Sequence, residues 1–207
     1  MQEYPKIETL LDRDATNFRV VPGMWRTPEF KYLQHNEWVW TEKVDGTNVR
    51  VEWAQEKQQV TFGGKTEAAT IPSPLLRRLQ DLFPVKLFES IYSDLSLCLY
   101  GEGYGKKIQK GGERYISDGV DFVLFDIWIN GFWLERVNLQ DIARKMGLRI
   151  VPIAGRGNLL EAIDYAKKGF SSAWGDFNAE GLVLKPLVEM LNRKGERIIG
   201  KIKEKDF

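Results

Sequence analysis

The stretch VDFVLFDIWINGFWLERV, residues 120–137, constrains the fold more than any other part of the chain. Apolar residues fall at both odd and even positions of its first half, so both faces of an extended segment would be covered, and a central strand is predicted. Asn130-Gly131 follows at once. That pair is a strong hairpin signal, because a two-residue turn needs positive φ at both positions. The chain is therefore built around a sheet, with other layers packed on it.

The remaining segments fill in an α+β pattern. Glu37 to Trp53 is rich in Trp, Val and Thr and reads as two strands meeting at Asp45-Gly46. QQVTFGGK is a further strand ending at Gly63-Gly64, and LSLCLYGEGYG is one that runs into glycines. A helix is predicted over Pro72 to Phe83, with Ser73 as cap, Pro74 at the first position and Leu75, Leu79 and Leu82 at helical spacing. A second spans Leu139 to Met146, between Asn138 as cap and Gly147. A third spans Leu159 to Lys168, with Asn158 and Glu161 spaced as a capping box. AEGLVLKP and ERIIGKIK are the last two strands. The expected class is mostly antiparallel sheets flanked by helices. No linker or repeat divides the 207 residues, so one domain over 1–207 is expected.

Composition excludes more than it selects. Thirty basic and 29 acidic residues leave a formal charge of +1, so no global field marks a polyanion binder, although a local patch could. The single cysteine, Cys98, lies in an apolar run and reads as a small buried hydrophobe rather than a thiol nucleophile. It rules out a disulfide framework and suits a reducing, cytoplasmic setting. With His35 the only histidine, finger-type or protease-type zinc sites are not expected. No apolar run approaches the ~20 residues of a membrane span.

Five short segments hold polar residues that a core does not explain: KVDGTN at 43–48, GEGYG at 101–105, FDI at 125–127, EGLVLK at 180–185 and KIK at 201–203. Each has a plain reading alone. GEGYG lacks the GK[ST] ending of a phosphate loop. Glu102 could be a turn glutamate, Phe125 plain core, and KIK a strand edge whose lysines discourage pairing. Together, and in this order, they resemble the covalent nucleotidyltransferase superfamily of ATP-dependent ligases and capping enzymes. The likeness is greatest to the RNA ligase branch that includes phage enzymes sealing nicks in duplex RNA, where the lysine motif also runs into Thr-Asn. It spans about Pro5 to Lys203.

The resemblance implies an ATP-grasp-like nucleotidyltransferase domain and an ATP-dependent ligation through a lysine-AMP intermediate. Lys43 would be the nucleophile, with Lys201, Lys203 and Glu180 as catalytic partners. Glu42, Asn48, Glu102, Phe125 and Lys185 would bind the nucleotide, Glu102 at the ribose hydroxyls and Phe125 on the adenine, with Phe122 the fallback aromatic. The residues themselves support part of this. Attack needs a neutral amine, whereas a free lysine with pKa ~10.4 is protonated at neutral pH. Neighbouring cations favour the neutral form. Lys201 and Lys203 share a strand face and could provide such a field, while Asp45 and Glu180 oppose it unless a metal offsets them. Magnesium, with manganese as an alternative, takes oxygen ligands, which makes Glu180 and then Asp45 the candidate contacts.

Strand parity sets Lys185 apart from Glu180 unless Gly181 bends the chain. Arg50 shares parity with Glu52 and reads as a phosphate contact or an exposed ion pair, the second being favoured. Lys65 stands where related ligases tend to carry arginine, keeping the charge without the fork. Lys106, Lys107 and Lys110 sit in a basic glycine-flanked loop that reads equally as solvated surface or as a track for a nucleic-acid backbone. Only EKDF follows Lys203, so a minimal form without an appended domain is expected, with an auxiliary protein to engage nicked or broken duplex RNA. A small DNA ligase, a capping enzyme and an inactive binding module are the competing readings. A host-cytoplasm setting follows if the chain is phage-encoded.

Overall fold

The computed structural model describes residues 3–92 and 94–207. In chain order its strands are β1 (Glu8–Thr9), β2 (Leu11–Arg13), β3 (Val20–Trp25), β4 (Trp38–Glu42), β5 (Thr47–Ala54), β6 (Gln59–Gly63), β7 (Leu97–Gly105), β8 (Val120–Ile129), β9 (Phe132–Trp133), β10 (Ile153–Gly157), β11 (Gly181–Pro186) and β12 (Gly200–Lys203). The helices are α1 (Pro28–Tyr32), α2 (Ser73–Leu82), α3 (Val85–Ile91), α4 (Arg136–Met146) and α5 (Leu159–Lys168). The class is α+β, and among the described residues every pair of the named strands but β1–β12 is antiparallel. No helix among the described residues is long and apolar enough to cross a membrane.

The chain divides into two compact units. The first is Asp45–Val151, joined by Glu3 and Tyr4. Its sheet runs β6-β5-β7-β8-β9. One face buries Val49, Val51, Trp53, Leu97, Leu99, Phe122, Leu124 and Ile127 against α2 and α4. The predicted hairpin is present, with Asn130 at φ 49° and Gly131 at φ 90°. β8 is central between β7 and the two-residue β9. Leu75 and Leu79 of α2 are fully buried, as their spacing requires.

Parity along β8 breaks once. Tyr100 pairs with Asp126 but Gly101 pairs with Leu124, leaving Phe125 as an extra residue in the strand. Phe122 and Leu124 before it, and Ile127 after it, therefore share the core face.

The second unit is Pro5–Val44 with Pro152–Phe207. Its main sheet runs β1-β12-β11-β4-β10, beside a β2–β3 hairpin. Trp38, Trp40, Leu182, Leu184 and Ile202 face Leu159, Ala162 and Ala166 of α5. That helix opens on the predicted capping box, with Asn158 Oδ1 accepting from the Glu161 N–H at 2.9 Å and Glu161 Oε2 from the Asn158 N–H at 2.8 Å.

Four expectations are corrected. β4 and β5 do not pair as neighbours; β4 joins β10 and β11, β5 joins β6 and β7, and the chain changes unit between Val44 and Asp45. The second helix of the sequence reading starts at Arg136, so Asn138 lies within it and Glu135 holds the cap position. Ser73 is likewise inside α2, behind Pro72. Only Gly200–Lys203 of ERIIGKIK is strand.

Candidate active site

In the second unit, the register of β11 and β12 sets the charges. Lys203 pairs with Gly181 and Lys201 with Val183, while Ile202 between them points into the core. Lys201, Lys203 and Lys185 therefore share one face by alternation, opposite Leu182 and Leu184. Continued alternation would put Glu180 on the core side. It does not, because Gly181 stands at φ +155°. A Cβ there would lie 2.2 Å from the Ile202 carbonyl oxygen, so only glycine permits the bend.

Glu180 consequently meets two ammonium groups. Lys43 Nζ lies 2.5 Å from Oε2 and Lys203 Nζ 2.5 Å from Oε1. The three side chains are 21%, 18% and 9% exposed for Lys43, Lys203 and Glu180. Burial pushes the Glu180 carboxyl up, but the Lys43 charge and the hydrogen bonds from Lys203 and Lys43 outweigh it and hold the group below the usual carboxylate range. Lys43 itself follows β4, and its N–H donates to the Gly181 carbonyl at 2.8 Å. The nucleophile candidate and its carboxylate are thus tied by main chain as well as by side chain.

Two supporting carboxylates stand behind this trio. Glu42 is 2% exposed and accepts from Ser172 Oγ at 2.6 Å and from the Ala173 N–H at 2.9 Å. Ser172 Oγ in turn accepts from the Trp174 N–H at 3.1 Å. The Ser171–Asn178 bridge then closes the loop that delivers Glu180. Asp206 is 1% exposed; it accepts from the Lys203 N–H at 2.9 Å and from Arg13 at 2.6 Å. Sequence reasoning missed Asp206. Its position three residues beyond Lys203, at capping spacing, was the available signal.

In the first unit, the sheet face opposite the core places Asn48 directly across from Glu102. Asn48 Oδ1 is buried without a hydrogen-bond partner. The glycines around Glu102 are steric requirements. A Cβ on Gly101 would lie 2.2 Å from the Phe122 ring, and one on Gly103 2.3 Å from Leu75 Cδ2. Phe125, the extra residue of β8, is half-buried, with its ring 5.1 Å from that of Tyr4 in an edge-on arrangement. Phe122 is core, edge-on to Phe83 at 5.3 Å. Asp45 lies 3.5 Å from Arg114, and its N–H donates to Tyr115 Oη at 3.1 Å.

Arg50 corrects another expectation. It is fully buried, donates from Nε to the Gly64 carbonyl at 2.7 Å and reaches Glu67 at 3.3 Å, so it fixes the turn after β6 instead of forming an exposed pair. Lys65, just beyond that turn, is exposed, as are Lys106, Lys107 and Lys110. Lys106 pairs with Asp118 at 3.1 Å. Cys98 is 3% exposed, and burial pushes its thiol up to about 11, consistent with a structural role.

No group of three or more His, Cys, Asp or Glu able to hold a metal occurs among the described residues. Glu180 and Asp45 offer oxygen, the ligand type that magnesium takes, and magnesium needs only one or two carboxylates because it keeps its waters. The donor chemistry therefore fits a hydrated ion. Both carboxylates are paired with cations, so an ion at either would compete with a lysine or an arginine.

The family model described as RNA ligase matches residues 36–203. No curated protein sequence matches the chain. Solved structures do. A mutant of Naegleria gruberi RNA ligase with ATP and Mn has 19% identity and a TM-score of 0.68, over 98% of this chain and 61% of that one. The same ligase with PPi has 20% identity and a TM-score of 0.67, over 98% and 62%. A further mutant with AMP and Mn has 19% identity and a TM-score of 0.68, over 97% and 62%. The chain thus spans about three fifths of the length of those chains, and shares their fold.

Proposed function

The chain belongs to the RNA ligase family, and from that premise we propose that it is an ATP-dependent ligase acting through AMP bound covalently to Lys43. The observation that supports this most is the trio of Lys43, Glu180 and Lys203, which presents one amine beside a carboxylate and a second cation. In the first step Lys43 Nζ, having lost a proton, attacks the α-phosphorus of ATP. A P–N bond forms, the bond to the β-phosphate oxygen breaks, and pyrophosphate leaves. In the ligand-free arrangement the Lys43 amine is held as an ion-pair donor to Glu180, so it must leave that pair before its lone pair is available.

Lys201 and Lys203 receive the phosphates as fixed positive charge, with Lys185 further along the same face. Asn48 and Glu102 receive the sugar side of the nucleotide, and the exposed part of Phe125 the base. The unpartnered Asn48 Oδ1 favours a donor from the ligand there. Glu42 contributes by holding the 172–174 turn. Magnesium or manganese would be held by Glu180, with Asp45 as the lesser contact, and would neutralise charge on the phosphates. The structures of Naegleria gruberi RNA ligase with ATP, AMP and Mn support that cofactor set.

AMP then passes from Lys43 to a 5′-phosphate end, and a 3′-hydroxyl displaces it. The substrate is nicked or broken RNA, in duplex form as for the phage-type branch, with Lys65, Lys106, Lys107 and Lys110 on its phosphates and an auxiliary protein assisting. The setting is the cytoplasm.

Incubation with α-labelled ATP and magnesium, with GTP in parallel, tests the reading. Wild type forms a protein-AMP adduct with ATP, and Lys43→Ala forms none. Absence of label on the wild-type chain, or label with GTP alone, overturns it.

A further inference from the structure

The strand that carries Lys201 and Lys203 is supported unevenly on its two sides. β11 lies along one side of β12 from Gly200 to Lys203. β1 covers the other side only at Gly200 and Lys201, where it ends. The Leu10 N–H then donates to the Lys201 carbonyl at 3.0 Å. Main-chain groups two residues apart on a strand point the same way, so the Lys203 N–H faces this side too, beyond the end of β1. On its other flank Lys203 is paired with Gly181, the residue bent at φ +155°.

The Asp206 carboxylate stands where the next strand would be. Its Oδ2 accepts from the Lys203 N–H at 2.9 Å, and its Oδ1 from Arg13 Nη2 at 2.6 Å. Arg13 closes β2 and is paired there with Val20 of β3, so the acceptor is held from a separate hairpin. The turn that carries Asp206 is tied at three further points. Arg19 Nη1 donates to the Lys205 carbonyl at 3.2 Å, Asn178 Nδ2 to Glu204 Oε1 at 3.2 Å, and the Glu204 N–H to the Glu180 carbonyl at 3.2 Å. All of these residues, and Lys43, belong to the second unit.

We propose that Arg13 and Asp206 are a positioning pair for Lys203, in which the carboxylate replaces the missing strand and fixes the main chain from which the Lys203 ammonium reaches the nucleotide phosphates. This rests on the ligase reading. Without ligand, Glu180 holds the ammonium by its tip. Phosphates compete for that tip, and once they take it the main chain is what sets where the charge stands. Neither Arg13 nor Asp206 touches the reacting atoms. Misplacement by even ~1 Å lowers rates by about 100-fold, so a small shift of Lys203 is measurable in the chemical step.

The test is single-turnover lysine-AMP formation at saturating ATP and magnesium in Asp206→Ala, Arg13→Met and the double variant, with Arg26→Met as control. Arg26 lies on the same N-terminal segment but pairs with Asp12 and Glu8. The rate constant reports the folded molecules and the amplitude their fraction, so a merely structural loss lowers the amplitude alone. Asp206→Ala should lower the rate constant about tenfold or more, with the KM for ATP within about threefold of wild type. Arg13 has a side chain 37% exposed, so Arg13→Met is the milder change to the fold and decides the matter if the Asp206 variants do not fold. It should lower the rate constant about threefold or more. The double variant should match Asp206→Ala within about twofold, because the two residues act as one unit. Arg26→Met should match wild type. A wild-type rate constant in Arg13→Met or in folded Asp206→Ala, losses that multiply in the double variant, or an equal loss in Arg26→Met overturns the proposal and leaves the ligase reading standing. A wild-type chain that forms no adduct overturns the ligase reading and this inference with it.

Discussion

In the unit of Pro5–Val44 and Pro152–Phe207, charge holds charge: Glu180 sits between Lys43 and Lys203, and Asp206 between the Lys203 main chain and Arg13. In the unit of Asp45–Val151, contact distance does the equivalent work. Glu102 and Asn48 are placed by a strand whose glycines lie flat on Phe122 and Leu75. The difference teaches what each arrangement is sensitive to. An ion-paired arrangement weakens when a partner is neutralised, whereas a steric one ignores pH and fails when a single methyl group is added.

The strongest challenge to this contrast is Gly101→Ala. The added carbon would overlap the Phe122 ring and the Val123 carbonyl, at 2.2 and 2.4 Å. Overpacking of this kind costs about 3 kcal/mol, and urea unfolding should show a loss of that size that is constant with pH. A loss below half of it would mean that the sheet yields and that sterics do not set the position.

Glu180→Gln comes next. Removing the charge from a largely buried carboxylate with two ammonium partners should cost about 1–3 kcal/mol at pH 7. The group lies below its ordinary value of 4.5 in the folded protein. Its contribution is therefore full above that value and is lost as pH falls through the lower folded-state pKa. The gap between wild type and variant should narrow on acidification, measured by thermal unfolding from pH 7 to 3; a constant gap would place the second unit with the first. The smallest effect is that of Ser172→Ala, about 1 kcal/mol, from loss of one donor to Glu42. If its unfolding midpoint matches wild type, Glu42 is held by the Ala173 N–H alone.

Local rules made part of this molecule readable in advance. The β8 hairpin and the α5 capping box depend on residues two or three apart, and both are present as expected. The motif residues were identifiable as a set because their order resembles a family. Partner choice was not readable. Trp38–Glu42 and Thr47–Ala54 flank an Asp-Gly pair as hairpin strands would, yet their partners lie far along the chain, in β10 and β11 for one and β6 and β7 for the other. Arg50 looked exposed by alternation beside Glu52, because nothing local reveals that the turn at Gly64 covers it. Lys185 and Glu180 looked opposed because parity counts residues and cannot count the φ of Gly181. Asp206 escaped notice because its burial depends on Arg13, almost the whole chain away.

The extra residue at Phe125 has a consequence for how such a sheet can change over generations. Before it, even-numbered side chains fill the interior; after it, odd-numbered ones do. Lengthening a strand by one position thus adds a half-buried side chain without moving any residue off the core face. Removing that position would re-phase one end of β8, driving either the Asp126 carboxylate or the Val123 side of the strand across the sheet. A single-codon deletion there should be far less tolerated than any substitution at the same place.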